Sequence, residues 1–384
     1  MLILPVIACL FVLVTFLVFP INKYPIISET LTDPQSTELS TGNISDALSS
    51  YNIDTVTLEV PTVTSLSLPE GYNLDASAAI PNFITSQNNE LIINASKNDT
   101  GTYRIYLNDP LSDLYNEVFF IDLDLVYKTV DLEALNKDLQ SYLGDQASNY
   151  GYFVYDINRD ISFGYNQNSK YRAASMVKIP IAITVLREVQ EGRLSLDTVY
   201  PLRNDLIFNY YVGAGSNPVG SRLTVRDYLR YMITESDNTS LSHLDVLLGE
   251  IYGSELNTRI KQITGVDFYV YPPEATPQDV ATVLKGLYSY SFLDKSNSDY
   301  LINLMMNALP DLKEGLALGL PEEVSFANKI GFLDSSEDLS FMDSIIVYGT
   351  TTDYVLVVMN KNQDWDLAQN NLKNISNIIY NRLN

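Results

Sequence analysis

The sequence is poor in the side chains that bind metals and form disulfides. It contains one cysteine, Cys9, and one histidine, His243, among 384 residues. A single cysteine excludes an intramolecular disulfide, and the two residues together cannot supply a thiolate or histidine-rich metal site. Any mechanism that needs two histidines is excluded as well. We therefore predict neither a bound metal nor another cofactor.

Positive charge is also scarce. The chain has 24 lysines and arginines against 47 aspartates and glutamates, a formal net charge of −23. A nucleic-acid-binding protein is expected to carry a basic patch, so we predict no nucleic-acid partner. General attraction to anionic polymers or lipid headgroups is disfavoured for the same reason. The 27 tyrosines are abundant, and we interpret them as packing residues in preference to a carbohydrate-stacking surface.

The first 21 residues lack charged side chains and are mainly apolar. About 20 such residues span a bilayer as a helix. No small-x-small cleavage site follows, which favours a retained anchor over a cleaved signal, and a lipoprotein box at Cys9 is disfavoured because no basic residues precede it. We expect a single-pass protein of the cell membrane whose remainder is extracytoplasmic. Residues 22–50 are rich in Ser, Thr, Asn and Asp, and they indicate a polar linker.

Residues 51–130 contain short runs in which apolar and polar residues alternate, with turn residues between them. This pattern predicts a small antiparallel β-sandwich. Residues 98–103, which end at Tyr103, resemble the tyrosine corner of immunoglobulin-like domains. We interpret this part as an immunoglobulin-like spacer, and a ligand-binding role stays open. The predicted strands are 55–60, 65–68, 91–93, 103–107 and 118–127.

Residues 131–384 alternate between helix and strand patterns. They predict an α+β domain in which helices flank both faces of an antiparallel sheet. Thr224 is the expected N-cap of the helix that precedes Ser236. The predicted helices are 131–146, one through Ser175 to about Glu191, 223–233, one opened by residues 275–281, and 366–383. The predicted strands are 150–156, 161–165, 326–332, 343–348 and 353–359.

A serine and a lysine, Ser175 and Lys178, lie three residues apart in the apolar segment 172–182. Residues at this spacing share one face of a helix. An apolar environment lowers the pKa of a lysine and allows it to act as a base, and a serine becomes a nucleophile only beside a base. The spacing alone is weak evidence, because it occurs by chance in a chain of this length.

Two later motifs make the pattern specific. Ser236-Asp237-Asn238 and then Lys329-Ile330-Gly331 follow the Ser175-x-x-Lys178 pair. Ser-x-x-Lys, Ser-Asp-Asn and Lys-Thr-Gly in this order are typical of class A β-lactamases and penicillin-binding proteins. Over roughly residues 135–384 the chain resembles this serine hydrolase family, which implies a β-lactamase/transpeptidase-like α+β domain.

The resemblance implies three catalytic residues. Ser175 would be the nucleophile that becomes acylated, and Lys178 would be the base that activates it. Ser236 would relay a proton to the leaving nitrogen. Four further residues would bind substrate. Lys329 would attract a substrate carboxylate, with a solvated strand end as the alternative, and the N–H of Phe332 would join that of Ser175 in an oxyanion hole. The substrate-binding set is Asn238, Lys329, Gly331 and Phe332.

Two departures from the family pattern affect substrate binding and the hydrolysis of the acyl-enzyme. Ile330 replaces the motif threonine, so a hydroxyl that would bond the substrate carboxylate is missing. The Glu-x-x-Leu-Asn segment that activates the deacylating water is also missing between Asn238 and Thr276. The carboxylates in that stretch are Asp245, Glu250, Glu255, Asp267 and Glu274. Without this base, an acyl-enzyme can form and then persist.

Two functions from different classes fit these residues. The first is an extracytoplasmic serine hydrolase that is acylated by β-lactams or peptidoglycan-like peptides and deacylates slowly or not at all. The second is a catalytically decayed module that binds cell-wall material or a protein. Ile330 and the missing glutamate favour the second function, whereas the intact Ser175, Lys178, Ser236 and Asn238 favour the first.

Overall fold

The computed structural model describes residues 55–68, 71–76, 78–108, 119–268, 273–335 and 338–384. The predicted membrane segment 1–21 and the predicted linker 22–50 lie outside these ranges. Not one helix in the described ranges combines the length and the apolar character needed to cross a bilayer.

Residues 56–127, here called the β region, form two sheets. One sheet has the strand order β1-β7-β6-β3 and the other has the order β2-β5-β4. The strands are β1 (Val56–Val60), β2 (Thr62–Ser67), β3 (Asn73–Leu74), β4 (Ile84–Gln87), β5 (Glu90–Ala95), β6 (Gly101–Asn108) and β7 (Phe119–Tyr127).

The two sheets of the β region share one apolar core. Leu91 and Ile93 on β5 are fully buried against Leu123 and Leu125 on β7, in one cluster. The alternation of apolar residues along each strand produces this core, because successive side chains of a strand point to opposite faces. The Tyr103 hydroxyl donates to the Thr100 carbonyl at 3.4 Å. The immunoglobulin-like assignment of this region stays a prediction.

One prediction for the β region is wrong. β1 pairs with β7 in parallel, with Val56 opposite Leu123, whereas a purely antiparallel arrangement was expected. Parallel neighbours need a long crossover connection. The chain between β1 and β7 supplies it, because β2 and β5 pair with each other in the second sheet. The alternation of apolar and polar residues along one strand does not show which strand it pairs with or in which direction.

Residues 132–383, here called the α+β region, contain the remaining elements. The helices are α1 (Leu132–Leu143), α2 (Lys178–Gln190), α3 (Val225–Thr234), α4 (Asn238–Tyr252), α5 (Leu256–Thr264), α6 (Pro277–Tyr288), α7 (Lys295–Met306) and α8 (Trp365–Leu383). The strands are β8 (Tyr150–Asp156), β9 (Ile161–Tyr165), β10 (Tyr171–Arg172), β11 (Val199–Pro201), β12 (Arg222–Thr224), β13 (Glu274–Ala275), β14 (Ser325–Ser335), β15 (Asp338–Tyr348) and β16 (Asp353–Asn360).

The central sheet is antiparallel, with the strand order β14-β15-β16-β8-β9. Every residue of β16 is buried. Val355 and Val357 pack into the core beside α2, α3 and α6, whereas Leu356 and Val358 pack into a second core beside α1 and α8. The sheet is therefore covered by helices on both faces, as the sequence predicted. The strand bounds around 150–165 and the Thr224 cap of α3 are confirmed as well.

The β region contacts the α+β region through a partly buried ion pair. Lys97 Nζ lies 2.5 Å from Asp353 Oδ1 and 2.7 Å from the Gly349 carbonyl oxygen. The Tyr127 hydroxyl donates to the Lys97 carbonyl at 2.7 Å. Tyr288, on α6, donates to the other oxygen of Asp353 at 2.8 Å.

Candidate active site

Ser175 lies on a tight turn that leads into α2. Residues Ala174–Val177 form a 3₁₀ turn, and the α-helix begins only at Lys178, so the expected α-helical setting of Ser175 is wrong. A 3₁₀ turn aligns residues three apart more closely than an α-helix does. Ala174 has φ of 45°, in the left-handed region that non-glycine residues rarely adopt. The surrounding structure therefore holds the backbone before Ser175 in this unfavourable conformation.

Lys178 is fully buried and directed at polar atoms of three residues. Its Nζ lies 2.7 Å from Ser175 Oγ, 2.6 Å from the Ser236 carbonyl oxygen and 2.7 Å from Asn238 Oδ1. Burial holds the pKa of Lys178 well below its usual value, and the nearby charge of Lys329 lowers the pKa further. An amine in this setting can be neutral at neutral pH and can therefore accept a proton.

The second motif bridges two helices. α3 ends at Thr234 and α4 begins at Asn238, so Ser236 lies in the connection, with φ of 53°. Ser236 Oγ lies 3.2 Å from Lys178 Nζ and 2.8 Å from Lys329 Nζ. Its hydroxyl is therefore placed between the two lysines of the site.

Asp237, to which the sequence analysis assigned no role, holds this connection in place. It is the N-cap of α4 and accepts from the Thr239 and Ser240 backbone amides. One of its oxygens also accepts from the Ala214 amide at 3.1 Å. A Cβ on Gly213 would meet Asp237 Cγ at 2.4 Å, so the neighbouring loop needs glycine there. In the sequence, the signal for this role was the position of Asp237 between Ser236 and Asn238, which had both been assigned to the site.

Lys329 is buried, with 2% of its surface exposed, so the alternative of a solvated strand end does not hold. Its Nζ lies 2.8 Å from Ser236 Oγ and 3.3 Å from the Ile330 carbonyl oxygen. Burial lowers the pKa of Lys329 to about 8, and the charge of Asp343 opposes this shift. Periodicity along the sequence could not show the burial, because the Ser175 turn, α7 and the connection at Ser236 pack against the strand from distant parts of the chain.

Gly331 allows β14 to approach the nucleophile turn. A Cβ at this position would lie 3.0 Å from the Ala173 carbonyl oxygen and 3.3 Å from Ala174 Cβ. The side chains on either side of Gly331 point to the opposite face of β14. Ile330 is buried in the core beside α8, and the Phe332 ring stacks edge-on against Trp365 at 4.8 Å. The strand therefore presents mainly backbone to the nucleophile turn at this point.

Asp343, on β15, is a second buried carboxyl that the sequence analysis missed. It accepts from the Leu316 amide at 2.9 Å and lies 3.3 Å from Asn328 Nδ2. Burial raises the pKa of Asp343 to about 7, and its hydrogen bonds oppose this shift. The sequence feature that could have identified this residue was a single aspartate within the apolar strand 341–348.

The five carboxylates between Asn238 and Thr276 are all in the described ranges. None of them is hydrogen-bonded to Ser175 or Lys178 there; Asp267, for example, pairs with Lys261 at 2.8 Å on the surface. The described residues also contain no group of three or more His, Cys, Asp or Glu that could hold a metal ion.

Comparisons with known proteins identify the family of the chain. A family model described as the beta-lactamase enzyme family matches residues 134–383. A beta-lactamase of Phocaeicola vulgatus is 24% identical over 302 residues, which cover 69% of this chain and 92% of the relative. Beta-lactamase VEB-1 of Pseudomonas aeruginosa is 26% identical over 133 residues, 34% of this chain and 44% of that protein.

Solved structures show the same fold. PBP-A superposes with a TM-score of 0.59 at 22% identity, covering 66% of this chain and 98% of PBP-A. TLA-1 extended-spectrum beta-lactamase superposes with a TM-score of 0.58 at 19% identity, covering 65% and 98%. The family match spans more than half of the sequence and includes every motif residue described above. This chain belongs to the beta-lactamase enzyme family.

Proposed function

We propose that this chain is a membrane-anchored, extracytoplasmic serine hydrolase of the class A type, which is acylated at Ser175 and deacylates slowly. The observation that carries the proposal is the buried amine of Lys178, 2.7 Å from the Ser175 hydroxyl. A lysine without a carboxylate partner, desolvated beside a serine, is a typical arrangement for an activated nucleophile.

The contacts of Lys178 suit a base. A neutral amine has two N–H donors and one lone pair. The Ser236 carbonyl and Asn238 Oδ1 can accept the two N–H groups, at 2.6 and 2.7 Å. The lone pair is then left for the proton of Ser175. Lys329, whose pKa is about 8, is mostly protonated at neutral pH and donates to Ser236.

The acylation step follows from these positions. Lys178 takes the Ser175 proton while Oγ forms a bond to the carbonyl carbon of the substrate. The N–H groups of Ser175 and Phe332 would stabilise the oxyanion, a type of contact worth about a hundredfold or more in rate. The carbon–nitrogen bond then breaks, and the proton passes through Ser236 to the leaving nitrogen. Substrate binding would use Asn238, Gly331 and the charge of Lys329.

Slow deacylation is inferred from the carboxylates. Water needs a general base to attack the acyl-enzyme, and no Asp or Glu is hydrogen-bonded to Ser175 or Lys178 in the described ranges. A mutant of PBP-A has been solved as an acyl-enzyme complex with penicillin-G, so this fold can hold such an adduct. We infer that β-lactams and peptidoglycan-like peptides acylate this chain in the same way.

The decisive experiment is labelling with a fluorescent penicillin, followed by intact-mass measurement. We expect one adduct per chain, no labelling in Ser175→Ala, and acylation at least about a hundredfold slower in Lys178→Ala. The control is Ser162→Ala, an exposed serine on β9. Nitrocefin should give a burst of one equivalent followed by a slow phase.

Two outcomes would contradict the proposal. Labelling that survives in Ser175→Ala would refute the assigned nucleophile. No adduct with any β-lactam or thioester would favour the alternative, a decayed binding module.

A further inference from the structure

His243, the single histidine of the chain, has no role in the chemistry described above, yet it is fully buried on α4. It follows five residues after Asn238, whose side chain contacts Lys178. Its ring stacks on the Tyr228 ring of α3 at 4.9 Å, and the Tyr200 ring of β11 lies edge-on to it at 6.1 Å. A polar ring buried in this way needs hydrogen-bond partners for its nitrogens.

The two ring nitrogens of His243 have partners that define its protonation state. Nε2 lies 2.9 Å from the backbone nitrogen of Arg203, and Nδ1 lies 2.7 Å from the Thr239 carbonyl oxygen. A backbone N–H can only donate, so Nε2 accepts and carries no proton. Nδ1 faces a carbonyl oxygen and therefore donates. Both hydrogen bonds form together only in the neutral imidazole with its proton on Nδ1.

Three backbone amides fasten one segment to the start of α4. Residues 203–216, here called the flanking segment, lie between β11 and β12. Thr239 Oγ1 accepts from the Phe208 amide at 3.0 Å, and Asp237 accepts from the Ala214 amide at 3.1 Å. Together with the amide bound by the imidazole, these contacts hold the flanking segment at its start, its middle and its end.

The fastened segment is connected to the reacting groups. Asp237 joins the flanking segment to the connection that carries Ser236 and leads into α4 at Asn238. The Ser236 carbonyl oxygen and Asn238 Oδ1 lie 2.6 and 2.7 Å from Lys178 Nζ. Thr239, whose carbonyl accepts from the imidazole, is the next residue along α4. A shift of the flanking segment therefore acts on two groups that position the base.

We propose that His243 is a positioning residue of the Ser175 site, whose neutral imidazole holds the flanking segment against the connection that carries Ser236. The proposal rests on the acylation of Ser175 proposed above. A second proton would place an N–H on Nε2, facing the N–H of Arg203, and the hydrogen bond between them would be lost. The start of the flanking segment would then be released from α4, so acidic pH should disturb the site through His243.

The groups around the imidazole favour its neutral form. Burial lowers the pKa of His243 below its usual value, and the bond to the Thr239 carbonyl raises the pKa in opposition. The charge of Arg203 lowers the pKa further, whereas the charges of Asp237 and Asp205 raise it. The rings that α3 and β11 pack against it belong to tyrosines, which are uncharged at neutral pH. Protonation of the imidazole therefore requires acidification.

Two substitutions separate the hydrogen bond from the charge. His243→Gln keeps an acceptor near the position of Nε2 and cannot gain a proton, whereas His243→Leu removes the acceptor. At neutral pH, fluorescent-penicillin labelling of His243→Gln should stay within about twofold of the native rate. Labelling of His243→Leu should be about tenfold slower, the factor that one unmade buried hydrogen bond supplies. Native labelling of His243→Leu, or an equal loss in both variants, would overturn the proposal.

The pH profile gives a readout that a purely structural role would not change. The labelling rate of His243→Gln divided by that of the native chain should rise as pH falls through the pKa of His243, because only the native ring gains a charge. Titration of Lys178 is common to both chains and cancels in the ratio. Since the chain has one histidine, imidazole NMR measures this pKa and the tautomer directly. A ratio independent of pH, or a proton on Nε2 at neutral pH, would contradict the proposal.

The matched control is Thr264→Val on α5. The Thr264 hydroxyl is buried and accepts from the Val266 amide at 3.4 Å, so this change also removes a buried acceptor of a backbone N–H. It should lower the unfolding midpoint and leave labelling unchanged. A loss of labelling as large as that of His243→Leu would mean that general destabilisation explains both.

Hydrogen exchange of the flanking segment needs no acylation. It is measured by mass spectrometry on the full chain at neutral pH. Faster exchange in His243→Leu, but not in His243→Gln, supports the fastening even if Ser175 is never labelled. Exchange that is unchanged in His243→Leu refutes the fastening and leaves the proposed function standing.

Discussion

At the scale of single residues, buried charge is the main feature of the site. Lys178 and Lys329 are both buried, and neither forms a direct ion pair with a carboxylate in the described residues. Each has one carboxyl that raises its pKa from a distance: Asp237 for Lys178 and Asp343 for Lys329. The two lysines also repel each other. Burial lowers the pKa of both amines, and Lys178 is the one that lies beside Ser175.

Asp343→Asn tests the buried carboxyl. The pKa of Asp343 is raised from 3.8 to about 7 in the folded chain. Between these values the folded chain keeps a proton that the unfolded chain releases, so the free energy of unfolding falls as pH rises, by up to about 1.4 kcal/mol per pH unit. Asn does not titrate, so this contribution should disappear between pH 4 and 7.

Urea denaturation of both proteins at several pH values measures the difference. Parallel curves for the native chain and Asp343→Asn would mean that Asp343 does not titrate in this window. Penicillin labelling of the variant adds a second readout. If Asp343 supports the charge of Lys329, the labelling rate of Asp343→Asn should decline at a lower pH than that of the native chain on the alkaline side.

At the scale of elements, the site depends on how closely β14 approaches the turn before α2. Gly331 makes this approach possible, because any Cβ there would press on Ala173 and Ala174. Ala174 already has a left-handed backbone, which costs about 1–3 kcal/mol for a non-glycine residue. The turn therefore has little freedom to move away without displacing Ser175.

Gly331→Ala should slow acylation more than it destabilises the fold. A Cβ there would push its neighbours by a few tenths of an ångström. Since a displacement of about 1 Å at a reacting centre can reduce the rate about a hundredfold, we expect acylation to slow about threefold to tenfold. The measurement is the rate of penicillin labelling, compared with the unfolding midpoint. The control is Gly249→Ala on α4, where a Cβ meets nothing within 4 Å. That change should leave labelling unchanged and stabilise the helix by about 0.5–1 kcal/mol. Equal labelling rates in both variants would contradict the prediction.

At the scale of the whole molecule, the β region is joined to the α+β region by Lys97. This side chain neutralises Asp353, which also accepts from Tyr288 on α6. A second contact is made by Arg159, whose guanidinium lies 5.6 Å from the centre of the Tyr127 ring on β7. The two regions are therefore expected to unfold together.

Lys97→Met should lower the free energy of unfolding by about 1–3 kcal/mol, since it leaves the largely buried Asp353 without its cation. Denaturation followed by circular dichroism measures this loss. Lys137→Met, at an exposed position on α1, is the control. Penicillin labelling should stay unchanged in both variants. A stability equal to that of the native chain would show that the contact contributes nothing to joining the two regions.

The amino-acid sequence by itself determined the local elements and the family. Alternation and helical spacing predicted most strands and helices of the α+β region, because these patterns depend on neighbours within a few residues. The spacing of Ser175 and Lys178, followed by Ser236 and Asn238, predicted which side chains meet. The helix cap at Thr224 was likewise predictable from the sequence, because its hydrogen-bond partner Asp227 is three residues away.

The tertiary structure alone decided the features that depend on distant segments. The burial of Lys329, the raised pKa of Asp343 and the parallel pairing of β1 with β7 all arise from packing between parts of the chain far apart in sequence. Desolvation and charge depend on what surrounds a group in space, and no local pattern carries that information.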